Sequence, residues 1–414
     1  MNILEAAQKF TGEASNVKAL AVNRILEAAQ KFTGEAYDPE TGSINMKKMK
    51  EHALEERGTT NILLMGATGS GKSSLINAIF GSNVVKAGTG QPVTQNLEKV
   101  KIKEKGLILW DTKGIEAGNY EETMRKLTEE IDAPFKTAKE KDELPHIALL
   151  CIKESSSRIE DREHELLEIT KKYDIPTIVV FTDMRGDEGE EFCKKAEEIF
   201  SNEEHVKGFA RVNSCAYKIN GVEISVAGIK ELVDKIEQCM KEAHEKAAKH
   251  FAAIQRANIE KKLAAMTDEA KTIIHLAAAA AGTAGASPIP MSDAPIIAAI
   301  QSGMIYKINT AFELSTEETG MTSLITGILG VTAVAQVGRT VVTNALKFIP
   351  GAGTLIGGAI SATTATAITE AIGHAWIAVL TNYLNEETGE VELPKVFESI
   401  LPVFKEHFTQ LYKK

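Results

Sequence analysis

Cysteine is scarce in this sequence. Cys151, Cys193, Cys215 and Cys239 are scattered through 414 positions without C-x-x-C spacing, which excludes a disulfide-dense chain and suits reduced thiols in a cytoplasmic compartment. An excess of positive charge is also missing: 47 Lys+Arg stand against 57 Asp+Glu, a formal charge of −10. A general electrostatic grip on nucleic acid or anionic lipid is thereby disfavoured, and no nucleic-acid partner is expected. The first residues lack a basic stretch followed by an apolar run, so no secretory leader is expected. Core material is not lacking. With 43% hydrophobic and 25% charged residues the composition excludes a disordered chain, and 414 residues suggest two or three packed units.

The twelve residues from Ile3 to Ala14, ILEAAQKFTGEA, recur unchanged from Ile25 to Ala36. Each copy puts Leu, Ala and Phe on one helical face and closes near a glycine, Gly12 or Gly34, suited to a left-handed cap. Two short helices are expected, read as a docked arm or a gene-model scar, with no chemistry assigned. After the turn-like Asp38–Gly42, strand and helix signals alternate as far as residue 245. Strands are expected at Asn61–Met65, Lys99–Lys103, Leu107–Asp111, His146–Ile152, Thr177–Phe181 and Ala210–Asn213, and the alternation predicts a doubly wound, mostly parallel α/β sheet. Beyond it the chain turns Ala/Gly/Thr-rich and loses strand alternation. The expected division is an N-terminal helical arm over 1–57, an α/β domain over 58–245 and an all-helical domain over 246–414.

One motif carries chemistry by its context. Gly66-Ala67-Thr68-Gly69-Ser70-Gly71-Lys72-Ser73 fits G-x-x-x-x-G-K-[ST], directly after the apolar NILLM and directly before SSLINAIF. Such a strand–loop–helix turns successive backbone N–H groups toward a phosphate chain at a helix N-terminus. Gly66, Thr68, Gly69, Ser70, Gly71, Lys72, Ser73 and Ser74 are therefore the candidate phosphate-binding residues. Lys72 would neutralise the β- and γ-phosphates, and the Ser73 hydroxyl would ligate Mg²⁺. Asp111-Thr112-Lys113-Gly114 reads D-x-x-G after a strand, placing a carboxylate to hold Mg²⁺ and a glycine N–H for the γ-phosphate. Thr94, in the loop Gln91-Pro92-Val93-Thr94, offers Mg²⁺ a hydroxyl and the γ-phosphate an N–H. Lys72, Thr94 and Gly114 form the catalytic set on this reading, with Ser73, Thr94 and Asp111 as metal ligands.

Through GATGSGKSSLINAIFG, QPVTQ and WDTKGI, residues 58–245 resemble the translation-factor-related GTPases, and more closely the Era-like and immunity-related ones. The resemblance implies a P-loop GTPase fold, GTP and GDP as ligands with Mg²⁺, and hydrolysis of GTP. It also leaves room for a homodimer through the nucleotide face. Two departures stand out. The guanine-reading pattern [NT]-K-x-D appears as Thr182-Asp183-Met184-Arg185, with Arg185, which has no acceptor, at the carboxylate position. Either Asp183 reads the base after a local shift, or base selectivity is poor and a P-loop ATPase is the rival. Thr182, Asp183 and, from a small-residue loop, Ser214 are the base-side candidates. The second departure is Ile115 after D-x-x-G, where many relatives place a glutamine. Turnover is expected to be slow, a nucleotide-binding scaffold without hydrolysis is the further alternative, and Arg158 is a candidate helper arginine.

Residues 268–385 resemble an uncharacterised Ala/Gly-rich helical domain fused to Era-like GTPases. Ile273–Met291, Thr319–Gly338 and Phe348–Thr369 are its long apolar stretches. At about 20 residues the last two are long enough to cross a bilayer, but Gly, Thr, Ser and Ala dominate them. A buried bundle or peripheral membrane contact is favoured over insertion, and His275 and His374 are expected as core histidines. The protein is thus expected in the cytoplasm, with membrane association left open.

Overall fold

The computed structural model describes residues 13–81, 84, 89–92, 97–112, 120–138, 143–219, 222–286, 293–314, 320–321, 323–329, 362–394 and 396–411. In chain order the elements are α1 (Glu13–Thr33), α2 (Met46–Glu55), β1 (Thr60–Met65), α3 (Lys72–Phe80), β2 (Thr89–Pro92), β3 (Leu97–Ile102), β4 (Leu107–Thr112), α4 (Tyr120–Thr137), β5 (Ile147–Lys153), α5 (Asp161–Lys172) and β6 (Thr177–Thr182). There follow α6 (Gly186–Phe200), β7 (Val206–Val212), β8 (Tyr217–Ile219), β9 (Val222–Ile224), α7 (Ile229–Ala243), α8 (Glu245–Ile254), α9 (Ile259–Gly285), α10 (Asp293–Ala311), α11 (Ala362–Asn382) and α12 (Phe397–Leu411). The chain divides into two units, Gly58–Ala265 and Met1–Arg57 with Met266–Lys414.

In the first unit seven strands form one sheet in the order β2-β3-β4-β1-β5-β6-β7. The pairs β4·β1, β1·β5, β5·β6 and β6·β7 are parallel, and β2·β3 and β3·β4 antiparallel. Strands β1 and β6 are buried along their whole length, as strands covered on both faces must be. Their alternation then sorts the core: Ile62 and Leu64 of β1 point into one cluster, Leu63 and Met65 into another. The first cluster holds Leu75, Ile76 and Phe80 of α3 with Ile229, Leu232, Val233 and Ile236 of α7. The second holds Met124 and Leu127 of α4, Leu166 of α5 and Phe192 of α6. Helices on both faces of a mostly parallel sheet make the doubly wound fold predicted from the alternation. Two features differ from expectation. Gln91 and Pro92 end the edge strand β2 instead of lying in a loop, and β8 and β9 form a separate hairpin. A proline ending an edge strand leaves no sheet donor unmet.

The expected boundary after residue 245 falls just inside the start of α8. Here α8 lies within the Gly58–Ala265 unit. Phe251 meets Phe80 edge-to-face at 5.8 Å, Thr60 Oγ1 donates to Ala247 O at 3.2 Å, and Arg256 N–H donates to Ile79 O at 2.7 Å.

In the second unit α1 is one continuous helix, not a short one beginning at Ile25. Ile25, Ala29 and Phe32 of the second repeat copy are buried, and Gly34 closes it at φ 54°; residues 1–12 of the first copy lie outside the described residues. The α1 backbone approaches α10 where Gly303 leaves room, since a Cβ there would lie 2.6 Å from Phe32 O. Trp376 Nε1 donates to Asn309 Oδ1 at 2.7 Å between α11 and α10. The expected core histidines are corrected: the His275 side chain is 64% exposed, bound to Glu370 at 2.8 Å, and His374 lies 3.2 Å from the same carboxylate. A polar ring sheds less hydration beside a carboxylate at a helix surface than in an apolar interior. No described helix is long and apolar enough to cross a membrane. Residues 330–361, in which much of the two candidate spans falls, are outside the described residues.

Phe251→Ala should destabilise the Gly58–Ala265 unit by about 3–5 kcal/mol, the usual cost of emptying a buried phenylalanine site. Urea unfolding followed at Trp110, buried in that unit's sheet, measures it. A loss below about 1 kcal/mol would show that α8 is not part of that unit's core.

Candidate functional site

The parallel part of the sheet changes winding direction at β1, between β4 and β5, and the loop 66–71 leaves its C-terminal end there, where open α/β sheets bind ligands. Gly66, Gly69 and Gly71 all have positive φ, at 134°, 76° and 87°. A Cβ on Gly66 would lie 2.3 Å from Cys151 O on the neighbouring strand, so this position must be glycine for the loop to pass. Gly71 is the N-cap of α3, whose first turn presents its N–H groups and positive dipole end to the loop. Thr68, Gly69 and Ser73 are exposed, Ser74 half-buried and Ser70 buried. The Ser70 hydroxyl has no hydrogen-bond partner among the described residues.

Lys72 is 8% exposed and folds over its own loop, donating from Nζ to Gly66 O at 2.8 Å and Ala67 O at 3.1 Å. Asp111 stands near the end of β4, paired in register with Leu64. Lys72 and Asp111 both act on the buried Cys151 thiol: burial pushes it up to about 12, Lys72 pulls it down and Asp111 adds to the rise. One thiol therefore feels the candidate phosphate cation and the candidate metal carboxylate together. Ser73 and Asp111 offer a hydroxyl and a carboxylate, hard oxygen donors of the kind Mg²⁺ takes. Thr94, Gly114 and Ile115 lie outside the described residues.

On the other side of the loop Thr182, at the end of β6, donates from Oγ1 to Ser70 O at 2.8 Å. The next residue, Asp183, turns into the left-handed region at φ 59°. Its carboxylate accepts from Arg185 at 2.7 Å and from Tyr217 Oη at 3.3 Å, with the Lys153 ammonium at 3.5 Å. The hydrogen bond to Asp183 raises the Arg185 guanidinium above its ordinary value, while burial and then Asp183 raise the Tyr217 phenol. Ser214 follows β7, half-buried, beside Asn213, whose Nδ2 donates to Cys215 O at 3.0 Å and to Ser225 O at 2.6 Å. Arg158 is separate from this arrangement, its side chain 76% exposed and paired with Glu160 at 3.3 Å. Sequence reasoning missed Lys153, Tyr217 and Arg211. Lys153 closes an apolar strand and Arg211 interrupts one, the kind of charge that a strand keeps for a partner; Tyr217 gave no such signal.

Residues 61–183 match the family model described as a 50S ribosome-binding GTPase. The chain carries a P-loop GTPase domain. Residues 251–406 match a domain of unknown function, DUF697. No curated protein matches the chain. Solved structures similar to it include a probable GTP-binding protein engB, at 19% identity and TM-score 0.31 over 44% of this chain and 100% of that one. The G domain of the T. maritima FeoB iron transporter shows 19% identity and TM-score 0.28, over 44% and 98%. The LeoA bacterial dynamin GTPase from ETEC shows 13% identity and TM-score 0.31, over 96% and 87%.

Two outcomes follow for the GTPase domain. Gly66→Ala should abolish nucleotide binding and lower thermal stability, because the loop must move off Cys151 O; retained binding would show that the loop can pass elsewhere. Burial also pushes the Cys193 thiol up to about 12, with Glu154 adding to the rise. At pH 8 Cys151 and Cys193 are thus neutral in the native state and poor nucleophiles, so a thiol reagent should label exposed Cys215 and reach both only after unfolding. Mass mapping of labelled peptides checks this.

Proposed function

We propose that the GTPase domain binds GTP with Mg²⁺ and hydrolyses it slowly to GDP and phosphate. The observation that carries the reading is the loop 66–71, turned by three positive-φ glycines onto the start of α3, with Lys72 folded over it and Asp111 near the end of the adjoining strand β4. Phosphate oxygens would replace Gly66 O and Ala67 O as acceptors for Lys72, exchanging two neutral carbonyls for charged partners. Loop and helix N–H groups would meet the remaining phosphate charge. Ser73 and Asp111, with Thr94, would hold Mg²⁺, which supplies positive charge against the β- and γ-oxygens. The Gly114 N–H would bond the γ-phosphate. Hydrolysis adds water at the γ-phosphorus and breaks its bond to the β–γ bridging oxygen. Ile115 has no acceptor with which to orient that water, so the rate rests on charge stabilisation and is slow.

Asp183 is the base reader in this proposal. A carboxylate has about four lone-pair sites, so its present donors leave room for the N1–H and N2–H groups of guanine. Thr182 ties that carboxylate to the phosphate loop, and Ser214, in the loop after β7, would line the same side. The Era-like or immunity-related subtype rests on the sequence resemblance. Nucleotide state would be read out through the Thr94 and Asp111–Gly114 loops to the helical regions, by rearrangement, dimerisation through the nucleotide face or peripheral membrane contact.

Lys72→Ala should weaken binding of fluorescent GTP about 10- to 100-fold, as loss of one or two charge-assisted hydrogen bonds does, and remove phosphate release. Unlabelled ATP should displace bound GTP far less well than GTP does; equal displacement would favour the ATPase reading. Wild-type binding without phosphate release, at high protein concentration and with vesicles present, would favour the scaffold.

A further inference from the structure

A buried carboxylate sits under the turn that carries Asp183, and the nucleotide site as described leaves it without a role. Glu154 follows β5 directly, and its side chain is wholly buried. Its Oε1 accepts from Arg211 Nε at 2.8 Å and from the Cys193 thiol at 3.5 Å. Its Oε2 accepts from the Arg185 backbone N–H at 2.7 Å and from Arg211 Nη2 at 3.1 Å. Arg211 Nη2 also donates to Gly186 O at 3.2 Å. Gly189 leaves space for the carboxylate, since a Cβ there would meet Glu154 Oε2 at 1.9 Å.

Stability is a poor explanation for this pair. A buried ion pair is often replaceable by apolar residues without loss of stability, and its best-attested use is to fix one conformation among several. The conformation at stake here is the turn 183–186. Asp183 and Gly186 both adopt positive φ, 59° and 64°, a region open to Gly and more accessible to Asp than to most residues, and the turn is fixed by the groups that bind it. Glu154 takes the N–H of Arg185, Arg211 takes the carbonyl of Gly186, and the Arg185 side chain then meets Asp183 at 2.7 Å. The contacts run without a gap from the end of β5 to the Asp183 carboxylate.

We propose that Glu154, held by Arg211, is the positioning residue that sets the Asp183 carboxylate for the guanine edge. This rests on the reading of Asp183 as base reader. Both residues act through the turn, so their effect falls on discrimination between bases, while the phosphate loop depends on Gly66, Gly71 and Lys72.

The test titrates fluorescent GDP and fluorescent ADP into the full chain with Mg²⁺ and takes the ratio of the two affinities. Glu154→Gln keeps an acceptor but turns an amide N–H₂ toward the Arg211 donors; it should lower the guanine-over-adenine ratio by about tenfold, the scale of one charge-assisted hydrogen bond. Arg211→Lys keeps a cation and loses the two-point contact, and should shift the ratio the same way by less; it decides the question if Glu154→Gln does not fold. General destabilisation lowers both affinities together and leaves the ratio unmoved, and that result in a folded variant overturns the proposal. Asp183→Ala separates the two levels. Preference lost in Asp183→Ala but kept in both other variants sinks the role of Glu154 alone. Preference kept in Asp183→Ala, or absent from the wild type, removes the base reader and the inference with it.

Discussion

The nucleotide side of this molecule depends on how closely two backbones pass. At the end of β1 the chain turns over Cys151 O with no space for a side-chain carbon at Gly66, and only that passage brings residues 67–71 round to open α3. Interiors packed as tightly as crystals cannot absorb an added methyl by yielding everywhere a little. β5, with its fully buried Ala148–Ile152, is therefore as much a part of the phosphate loop as the loop's own residues. The same strand delivers Lys153 and Glu154 to the opposite side of the site, so one rigid element positions both halves.

A side-chain hydrogen bond joins those halves, Thr182 Oγ1 to Ser70 O. A hydroxyl is enough for this purpose, and a lysine or aspartate later in the motif does not alter it. The departure from [NT]-K-x-D thus leaves the link between β6 and the loop 66–71 intact and changes what would face a base bound there. In place of a lone aspartate there is an ion-paired carboxylate with donors from β5, β8 and its own turn.

Most of the sheet could be read from the sequence, because strands covered on both faces appear as unbroken apolar runs such as NILLM and TIVVF. The turn of the loop 66–71 could be read for a related reason: its glycines answer a local steric demand, and local demands leave local patterns. Other features left weaker traces. β2 pairs at the edge with few apolar residues to mark it. Helix α8 looks like the start of a new domain by composition, but Phe251 and Ile254 belong to the core of the sheet. Lys153 and Glu154, at the end of β5, meet Asp183 and its turn together with Tyr217 of β8 and Arg211 of β7, and the distances along the chain give no sign that these elements meet. His275 and Glu370, 95 positions apart, are the same case in the helical unit, where composition pointed to a core.

In that unit the abundance of small residues has a mechanical outcome. A Cβ on Gly373 of α11 would lie 2.4 Å from Ile274 Cγ1 of α9, and one on Gly282 of α9 would lie 2.4 Å from Thr366 Oγ1 of α11. Each helix therefore lodges a side chain in a notch cut into the other, at two levels along their length. Turning α9 about its axis would press Ile274 against the wall of its notch and carry α11 along, as meshed teeth do. The two helices are keyed to each other, so neither has room to turn alone without a clash at one of the notches.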